Sequence, residues 1–252
     1  MRRTIAVVAF LALAGCGGGG AGGSTELVVF AAASLTESFE EIAMAFEAEH
    51  RDDVDVIFNF GPSDGLATQI QEGAPADVFA SASGRWMDAL AEDPGVTERA
   101  DFVRNRLVVL VPADNPAGIE AIGDLARAGV KLVLAAEDVP VGTYAREALG
   151  NAGVLDAALA NLVSNEEDVK SVVQKVLLGE ADAGIAYVTD VTDDVGGEVR
   201  AIDIPDDVNV VATYPIAVVD GSDRAELAGR FVGYVLDEGQ AALRAAGFLP
   251  VE

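Results

Sequence analysis

Apolar runs and amphipathic stretches alternate along most of this chain. The first apolar run is Leu27-Val28-Val29-Phe30, and after it Leu35, Phe39, Ile42 and Phe46 recur at spacings of four, three and four. A short apolar run predicts a buried strand, whereas the second spacing predicts a helix with one apolar face. Further strands are predicted in the same way at residues 54–60, 77–80, 107–111, 131–135, 184–188 and 214–219. Strands that alternate with helices predict an α/β fold with mostly parallel sheets.

The chain is expected to divide after its third predicted strand. Pro112 and Pro116 interrupt the chain directly after the run at 107–111, so we expect that run to begin a second sheet. The run at 214–219, with a helix from about Asp223 to Leu236, returns to the first sheet. The prediction is two lobes joined by two crossings. Residues 26–106 plus 212–252 form lobe 1, and residues 107–211 form lobe 2.

Several predicted turns between a strand and a helix carry small or hydroxyl residues. Ser34 with Glu37, and Ser164 with Glu167, form capping-box patterns that predict helix starts. The N-terminus of a helix presents unsatisfied N–H groups and a partial positive charge, so turns that converge on one cleft would bind an anion without lysine or arginine. Ser34 is therefore either a helix cap or a group that faces a ligand.

The first residues predict export and a lipid anchor. Arg2 and Arg3 precede an apolar run that is too short to span a bilayer as a helix, and Leu13-Ala14-Gly15-Cys16 follows. This end of the run resembles the bacterial lipobox, which implies a signal peptide at residues 1–15 and a diacylglyceryl group on Cys16. The alternative is a buried free thiol. Cys16 is the only cysteine, so no disulfide is expected, and the glycine-rich residues 16–25 predict a flexible tether.

The charge excludes one class of partner. The chain has 16 basic and 42 acidic residues, a net charge of −26, and removal of residues 1–15 leaves 14 basic residues against 42 acidic ones, a charge of −28. Nucleic acid is a poor partner for such a surface. An anionic ligand stays possible, because salt screens surface charges over about 8 Å and donors inside a dry cleft act locally.

Motifs along the whole chain resemble the molybdate-binding proteins of bacterial ABC importers. The matching stretches, in the order of that family, are "VVFAAASLTESFEEIA", "GLATQIQEGAPADVFASAS", "RWMDAL", "EDVPVGTYAREAL", "NEEDVKSVV", "GIAYVTD" and "YPIAVV". The resemblance implies a two-lobe type II periplasmic-binding-protein fold with the ligand cleft between the lobes. It also implies an extracytoplasmic, monomeric binding protein that has no enzymatic activity and no cofactor, and that hands molybdate or tungstate to an ABC permease with its ATPase.

The oxyanion contacts of the family can be carried over to this chain residue by residue. They fall on Ser34, Ser63, Val141, Val169 and Tyr187. Three hydroxyls and the backbone N–H groups of helix starts are neutral donors, and none of them accepts a proton. Such a site favours fully deprotonated oxyanions over hydrogen phosphate, whose O–H would lack an acceptor. The metal would enter only as its oxyanion, with no direct metal-ion ligand from the protein.

The second turn departs from the family pattern. Where we expect a run of small hydroxyl residues, the chain has Pro62-Ser63-Asp64-Gly65. We expect Asp64 in the first turn of the following helix, where it faces solvent and stabilises the helix dipole. If its carboxylate faces the cleft instead, both the ligand and the contact at Ser63 are in doubt.

Three other functions remain as alternatives. The first is a receptor for sulfate or another small oxyanion, which the size of the cleft would decide. The second is a secreted hydrolase with Ser34 as its nucleophile, although the only histidine, His50, lies in a polar segment away from the motifs. The third is a signalling or adhesion lipoprotein with a degenerate pocket. Molybdate and tungstate are too alike to be ranked from the sequence.

Overall fold

The computed structural model describes residues 24–50, 53–192, 195 and 197–251. The predicted signal peptide, Cys16 and most of the predicted tether lie in residues 1–23, outside the described part. Within the described residues, no helix is both long and apolar enough to cross a membrane.

Nine strands and eight α-helices make up the described fold. The strands are β1 (Thr25–Ala32), β2 (Val54–Gly61), β3 (Val78–Ala80), β4 (Val96–Pro112), β5 (Leu132–Ala135), β6 (Leu162–Glu166), β7 (Ala183–Tyr187), β8 (Val199–Asp203) and β9 (Val211–Val219). The helices are α1 (Thr36–Glu49), α2 (Ser63–Gln71), α3 (Gly84–Glu92), α4 (Pro140–Asn151), α5 (Leu155–Leu159), α6 (Val169–Leu177), α7 (Ala225–Leu236) and α8 (Gln240–Ala245). Short 3₁₀ turns lie at Ala33–Leu35, Ile122–Ala126 and Val188–Asp190.

The strands form two sheets that share β4. Their order is β2-β1-β3-β9-β4-β7-β5-β6, and β8 also pairs with β4. β4 pairs with β9 as far as Arg106 and with β7 from Leu107 onward, so one continuous strand passes from the first sheet to the second. Helices cover both sheets, which gives the two-lobe α/β architecture.

Two element boundaries differ from the prediction. The run at 107–111 does begin the second sheet, as predicted, but it is not a separate strand, because it is the second half of β4, which already starts at Val96. The pattern at 164–167 does not start a helix, because residues 164–166 end β6 in parallel pairing with β5, and α6 begins at Val169. The sheets are also mixed rather than mostly parallel. β3, β4, β7, β8 and β9 make the antiparallel pairs, since β4 and β9 carry the chain back and forth between the sheets.

The core confirms the predicted helix faces. Phe39, Ile42 and Phe46 of α1 are all buried. Phe46 packs edge-on against Phe231 of α7 with ring centroids 5.3 Å apart. Such aromatic contacts hold α1 against α7 and so help to fix where the first turn of α1 points.

Candidate functional site

Strand-to-helix turns from both sheets meet at one small cavity. β1, β2, β5 and β6 each lead into a helix at the carboxyl end of a strand, the edge at which open α/β sheets place their ligands. The cavity is small and admits a rounded object of roughly 3 Å radius. Its lining is Ala32, Ala33, Ser34, Gly61, Pro62, Ser63, Ala82, Val139, Pro140, Val141, Asp168, Val169 and Tyr187.

All of the predicted contact residues lie around this cavity. Ser34 and Ser63 follow β1 and β2 of the first sheet, whereas Val141, Val169 and Tyr187 belong to the second. The cavity is therefore lined from both lobes, so its shape depends on how the lobes meet.

Backbone donors surround the cavity because helices begin there. Ser63 and Val169 are the first residues of α2 and α6, and Val141 is the second residue of α4. The N–H groups at such positions precede the first hydrogen bond within the helix. In the described part of the chain, no side chain accepts a hydrogen bond from the first turn of α2 or α4 at the capping position. The N-terminus of α6, in contrast, is capped by Asp168, whose carboxylate accepts from the Ser171 N–H at 2.8 Å.

Ser34 is not a helix cap, so the capping-box prediction was wrong. A 3₁₀ turn at Ala33–Leu35 precedes α1, and this places Ser34 inside the turn instead of at the helix boundary. The Ser34 Oγ atom lies 2.9 Å from the Oη atom of Tyr214 on β9, and both side chains are buried. The hydroxyl is thus held at the wall of the cavity by a residue far away in the sequence.

The Ser63 hydroxyl is also held by the protein. Its Oγ atom accepts a hydrogen bond from the backbone N–H of Ala82 at 3.0 Å, and the side chain is 1% exposed. One lone pair of this oxygen is therefore filled by a protein donor, which leaves the hydroxyl proton for another acceptor.

The Tyr187 hydroxyl is buried without a hydrogen-bond partner among the described residues. Burial raises the pKa of this phenol well above its ordinary value, and the nearby Tyr214 raises it further, so the group keeps its proton. An unpaired buried hydroxyl costs about 1–3 kcal/mol, and here it lines a cavity. The group is a donor that lacks an acceptor.

Asp64 lies in the first turn of α2, as expected, but it does not simply face solvent. The residue is half-buried, and its Oδ1 atom is buried with no partner in the described structure. Burial raises the pKa of this carboxyl, and the backbone N–H groups of Asp64 and Gly65 oppose the shift; Asp138 adds to the rise and Arg85 opposes it. Asp64 is absent from the cavity lining, so its carboxylate does not reach the cavity that Ser63 lines.

Side chains from the two lobes also contact each other beside the cavity. Arg85 and Trp86 of α3 reach Asp138, the residue two before α4, through an ion pair of 3.4 Å and a bond of 3.1 Å from the indole Nε1 to the backbone oxygen. On another side, Lys170 of α6 lies 2.8 Å from Glu37 of α1. These contacts join the lobes across the cleft.

A buried carboxylate supports the second of these contacts. Asp190 lies 3.6 Å from the Lys170 ammonium, and its Oδ2 atom accepts from the backbone N–H of Tyr187 at 3.0 Å. Burial raises the pKa of Asp190 from 3.8 to about 6, although Lys170 opposes the shift. Asp190 thus holds the backbone of Tyr187 at the cavity wall.

The sequence-based prediction missed Asp168, Asp190 and Tyr214, because no sequence pattern marks them as part of the site. The described part of the structure does not bring together the residues that a serine hydrolase or a metal-ion site would need. His50 bonds through its ring to the Phe46 carbonyl at the end of α1, away from Ser34. Within residues 24–50, 53–192, 195 and 197–251, no group of three or more histidine, cysteine or acidic residues could hold a metal ion.

Comparison with known proteins gives a consistent family. The family model of bacterial extracellular solute-binding proteins matches residues 27–249. The molybdate-binding protein ModA of Mycobacterium tuberculosis is 37% identical over 228 residues, which are 90% of this chain and 85% of that protein. YvgL of Bacillus subtilis, named a putative ABC transporter substrate-binding lipoprotein, is 30% identical over 251 residues, which are 96% of this chain and 95% of that protein.

A solved structure agrees with the sequence relatives. The "substrate binding domain of putative molybdenum ABC transporter from Clostridium difficile" is 31% identical to this chain and superposes with a TM-score of 0.68. The match covers 90% of this chain and 99% of that domain.

Proposed function

Because the chain belongs to the bacterial extracellular solute-binding proteins, we propose that it captures molybdate, or the similar tungstate, and delivers it to an ABC importer. It is a binding protein and not an enzyme. Support for the ligand comes from relatives and a solved structure with 31–37% identity, whose names refer to molybdate or molybdenum.

The observation that carries the proposal is the donor chemistry of the cavity. Its hydroxyls come from Ser34, Ser63 and Tyr187, and its backbone N–H groups come from helix starts in both lobes. A tetrahedral anion with four bare oxygens would accept from these groups and would fill the unmet bond of Tyr187. A cavity that admits an object of roughly 3 Å radius suits an ion of that kind.

The proposed ligand contacts are those that the family resemblance implies. Ser34, Ser63 and Tyr187 donate hydroxyl hydrogen bonds, while Val141 and Val169 donate backbone N–H groups. No protein ligand coordinates the metal itself, and no cofactor takes part. The single carboxylate in the lining, Asp168, is turned to its own helix by the bond to Ser171.

Capture requires the lobes to open and close. Donors from both lobes reach one small ion together only when the lobes meet, so we expect binding to favour the closed form that the permease recognises. We propose residues 26–106 plus 212–252 for lobe 1 and residues 107–211 for lobe 2. The change of pairing partner within β4, between Arg106 and Leu107, supports this boundary.

We also propose that the protein works outside the cytoplasm as a lipid-anchored monomer. The Leu13-Ala14-Gly15-Cys16 sequence supports an anchor on Cys16, and the glycine-rich segment after it supports a tether that holds the domain away from the membrane. Cells that express the Cys16→Ser variant should release a protein that binds molybdate normally. If the variant stays in the membrane fraction, the anchor is elsewhere.

A melting panel tests the proposed ligand. Molybdate and tungstate should each stabilise the protein, by about 2.7 kcal/mol at a hundred times the Kd, whereas sulfate at equal concentration should do so far less. An equal shift with sulfate would favour the alternative of a general receptor for small oxyanions. No shift with any of these anions would favour a lipoprotein with a degenerate pocket.

A further inference from the structure

An ion pair crosses the cleft beside the cavity. The Lys170 Nζ atom donates to both carboxylate oxygens of Glu37, at 2.8 and 2.9 Å. Lys170 belongs to α6 of lobe 2, whereas Glu37 belongs to α1 of lobe 1. Val169 lies one residue before Lys170, Ser34 lies three residues before Glu37, and both of them line the cavity. The ion pair therefore joins two segments that line the cavity from opposite lobes.

Lys170 is held in place from its own lobe. The Oδ1 atom of Asp190 lies 3.6 Å from the Lys170 ammonium, and the Asp190 side chain is fully buried. This oxygen has no hydrogen-bond partner among the described residues. Because a buried carboxylate is costly without a cation, the ammonium should stay beside Asp190 whether or not Glu37 is near. Lys170 is thus oriented in advance, so less side-chain freedom is lost when it meets Glu37.

The contact with Glu37 depends on how the lobes meet. Separation of the lobes would break the contact between Lys170 and Glu37 and would leave the one between Lys170 and Asp190 intact. The Lys170 side chain is only 29% exposed, which partly shields its ion pair from water and salt. The other ion pair across the cleft, between Arg85 and Asp138, has side chains that are 60% and 71% exposed, so it should contribute little.

We propose that Lys170 and Glu37 form a clasp that holds the lobes closed over the bound ligand and slows its release. The inference rests on the proposed function, because a clasp of this kind matters only in a protein that closes on a ligand. Neither side chain lines the cavity. Both are therefore positioning residues, which act on the ligand through the closure of the lobes and not by contact.

The negative charge of Glu37 allows the clasp to be tested by the sign of an effect. Through space, a carboxylate near a bound dianion weakens binding, so its neutralisation would strengthen binding. As half of the clasp, the same carboxylate strengthens binding, so its neutralisation would weaken it. The two effects predict opposite changes in the Kd of a Glu37→Gln variant.

The test is calorimetric titration of the purified protein and its Glu37→Gln variant with molybdate. We expect the variant to bind about three- to tenfold more weakly, as is typical for loss of one partly shielded ion pair. Glu40→Gln is the matched control, because it removes the same charge from an exposed position on the same helix. The control should leave the affinity unchanged or raise it slightly.

The kinetics of binding should show where the affinity is lost. Trp86 is the only tryptophan, and its indole Nε1 donates to the backbone oxygen of Asp138 across the cleft, so its fluorescence is a reporter of closure. Stopped-flow mixing with increasing molybdate gives the association rate from the slope of the observed rate and the dissociation rate from its intercept. We expect Glu37→Gln to raise the dissociation rate and to leave the association rate nearly unchanged.

A second background tests whether Glu37 acts through Lys170. In a Lys170→Met protein, Glu37→Gln should weaken binding no further, because the partner of the carboxylate is gone. Lys170→Met leaves Asp190 buried without its cation. If this protein does not melt cooperatively, the double variant Lys170→Met with Asp190→Asn takes its place as the background.

The outcomes separate the clasp from the proposed function. A wild-type protein that binds molybdate, with a Glu37→Gln variant of unchanged or higher affinity, overturns the clasp and leaves the function standing. A loss of affinity that persists in full without Lys170, or that lies wholly in the association rate, overturns the clasp in the same way. A wild-type protein that binds no molybdate overturns the proposed function and the clasp with it.

Discussion

Tyr187→Phe separates ligand binding from structural packing more sharply than any other single change. The substitution removes one oxygen from a fully buried ring and leaves its packing against Tyr214 in place, with ring centroids 5.8 Å apart. Because that oxygen has no hydrogen-bond partner among the described residues, the protein loses no internal hydrogen bond.

The expected effects on stability and binding have opposite signs. An unpaired buried hydroxyl costs about 1–3 kcal/mol, so the ligand-free variant should be as stable as the wild type or more stable by up to about 1 kcal/mol, since an open cleft would hydrate part of the group. A hydrogen bond from this phenol to an anion is worth about 1.5–3 kcal/mol, so the affinity for molybdate should fall by about 10- to 150-fold.

Urea denaturation without ligand and calorimetric titration with molybdate measure the two effects. Tyr234→Phe, which removes a hydroxyl outside the cavity, should leave the affinity unchanged. A Tyr187→Phe variant that is destabilised by more than about 1 kcal/mol but binds molybdate normally would refute the reasoning. Such a result would mean that the hydroxyl serves the fold and not the ligand.

Three further substitutions test other parts of the site. Ser34→Asp should abolish molybdate binding in a folded protein, because one negative charge about 4 Å from a dianion is repulsive by roughly 8 kcal/mol before screening and relaxation. Calorimetry that finds normal affinity in this variant would contradict a ligand role for Ser34. Gly142→Ala should lower both melting temperature and affinity, since its Cβ would lie 2.6 Å from the Ala135 carbonyl oxygen, whereas Gly150→Ala in the same helix has open space and should be neutral or stabilising. Asp190→Asn tests pH dependence. Because the pKa of Asp190 is raised from 3.8 to about 6, the free energy of unfolding of the wild type should decrease by about 3 kcal/mol as pH rises through that interval. Denaturation of the variant should lack this decrease. An unchanged pH profile in that variant would contradict the assignment.

The elements that surround the cavity were predictable from local pattern. Short apolar runs identify the strands β1, β2, β3, β5, β7 and β9. Apolar residues that recur at helical spacing identify α1 and α6, so local pattern alone is enough for these elements. The turns after β1, β2 and β5 follow from these strands, whereas the turn after β6 does not, because β6 was not predicted. Their convergence on one cavity came from the family resemblance, since it depends on the order of strands in two sheets.

The remaining features depend on distant contacts. Ser34 and Glu37 have the spacing of a capping box, yet Ser34 instead bonds to Tyr214, which is 180 positions away along the chain. β6 has partly exposed residues and too little apolar pattern to be recognised without its partner β5. The apolar pattern of β4 begins only at Leu107, because its first half carries mostly polar and charged residues. Only the pairing of that half with β9 identifies β4 as one strand.

Anomalous diffraction from crystals grown with molybdate, collected at the molybdenum edge, tests most directly whether this cavity binds the anion. We predict a single strong peak in the cavity, with oxygens of the ion within hydrogen-bond distance of the hydroxyls of Ser34, Ser63 and Tyr187 and of the backbone N–H groups of Val141 and Val169. A protein that binds molybdate in solution but shows its molybdenum peak elsewhere, or in the cavity without these contacts, would contradict the assignment of the site.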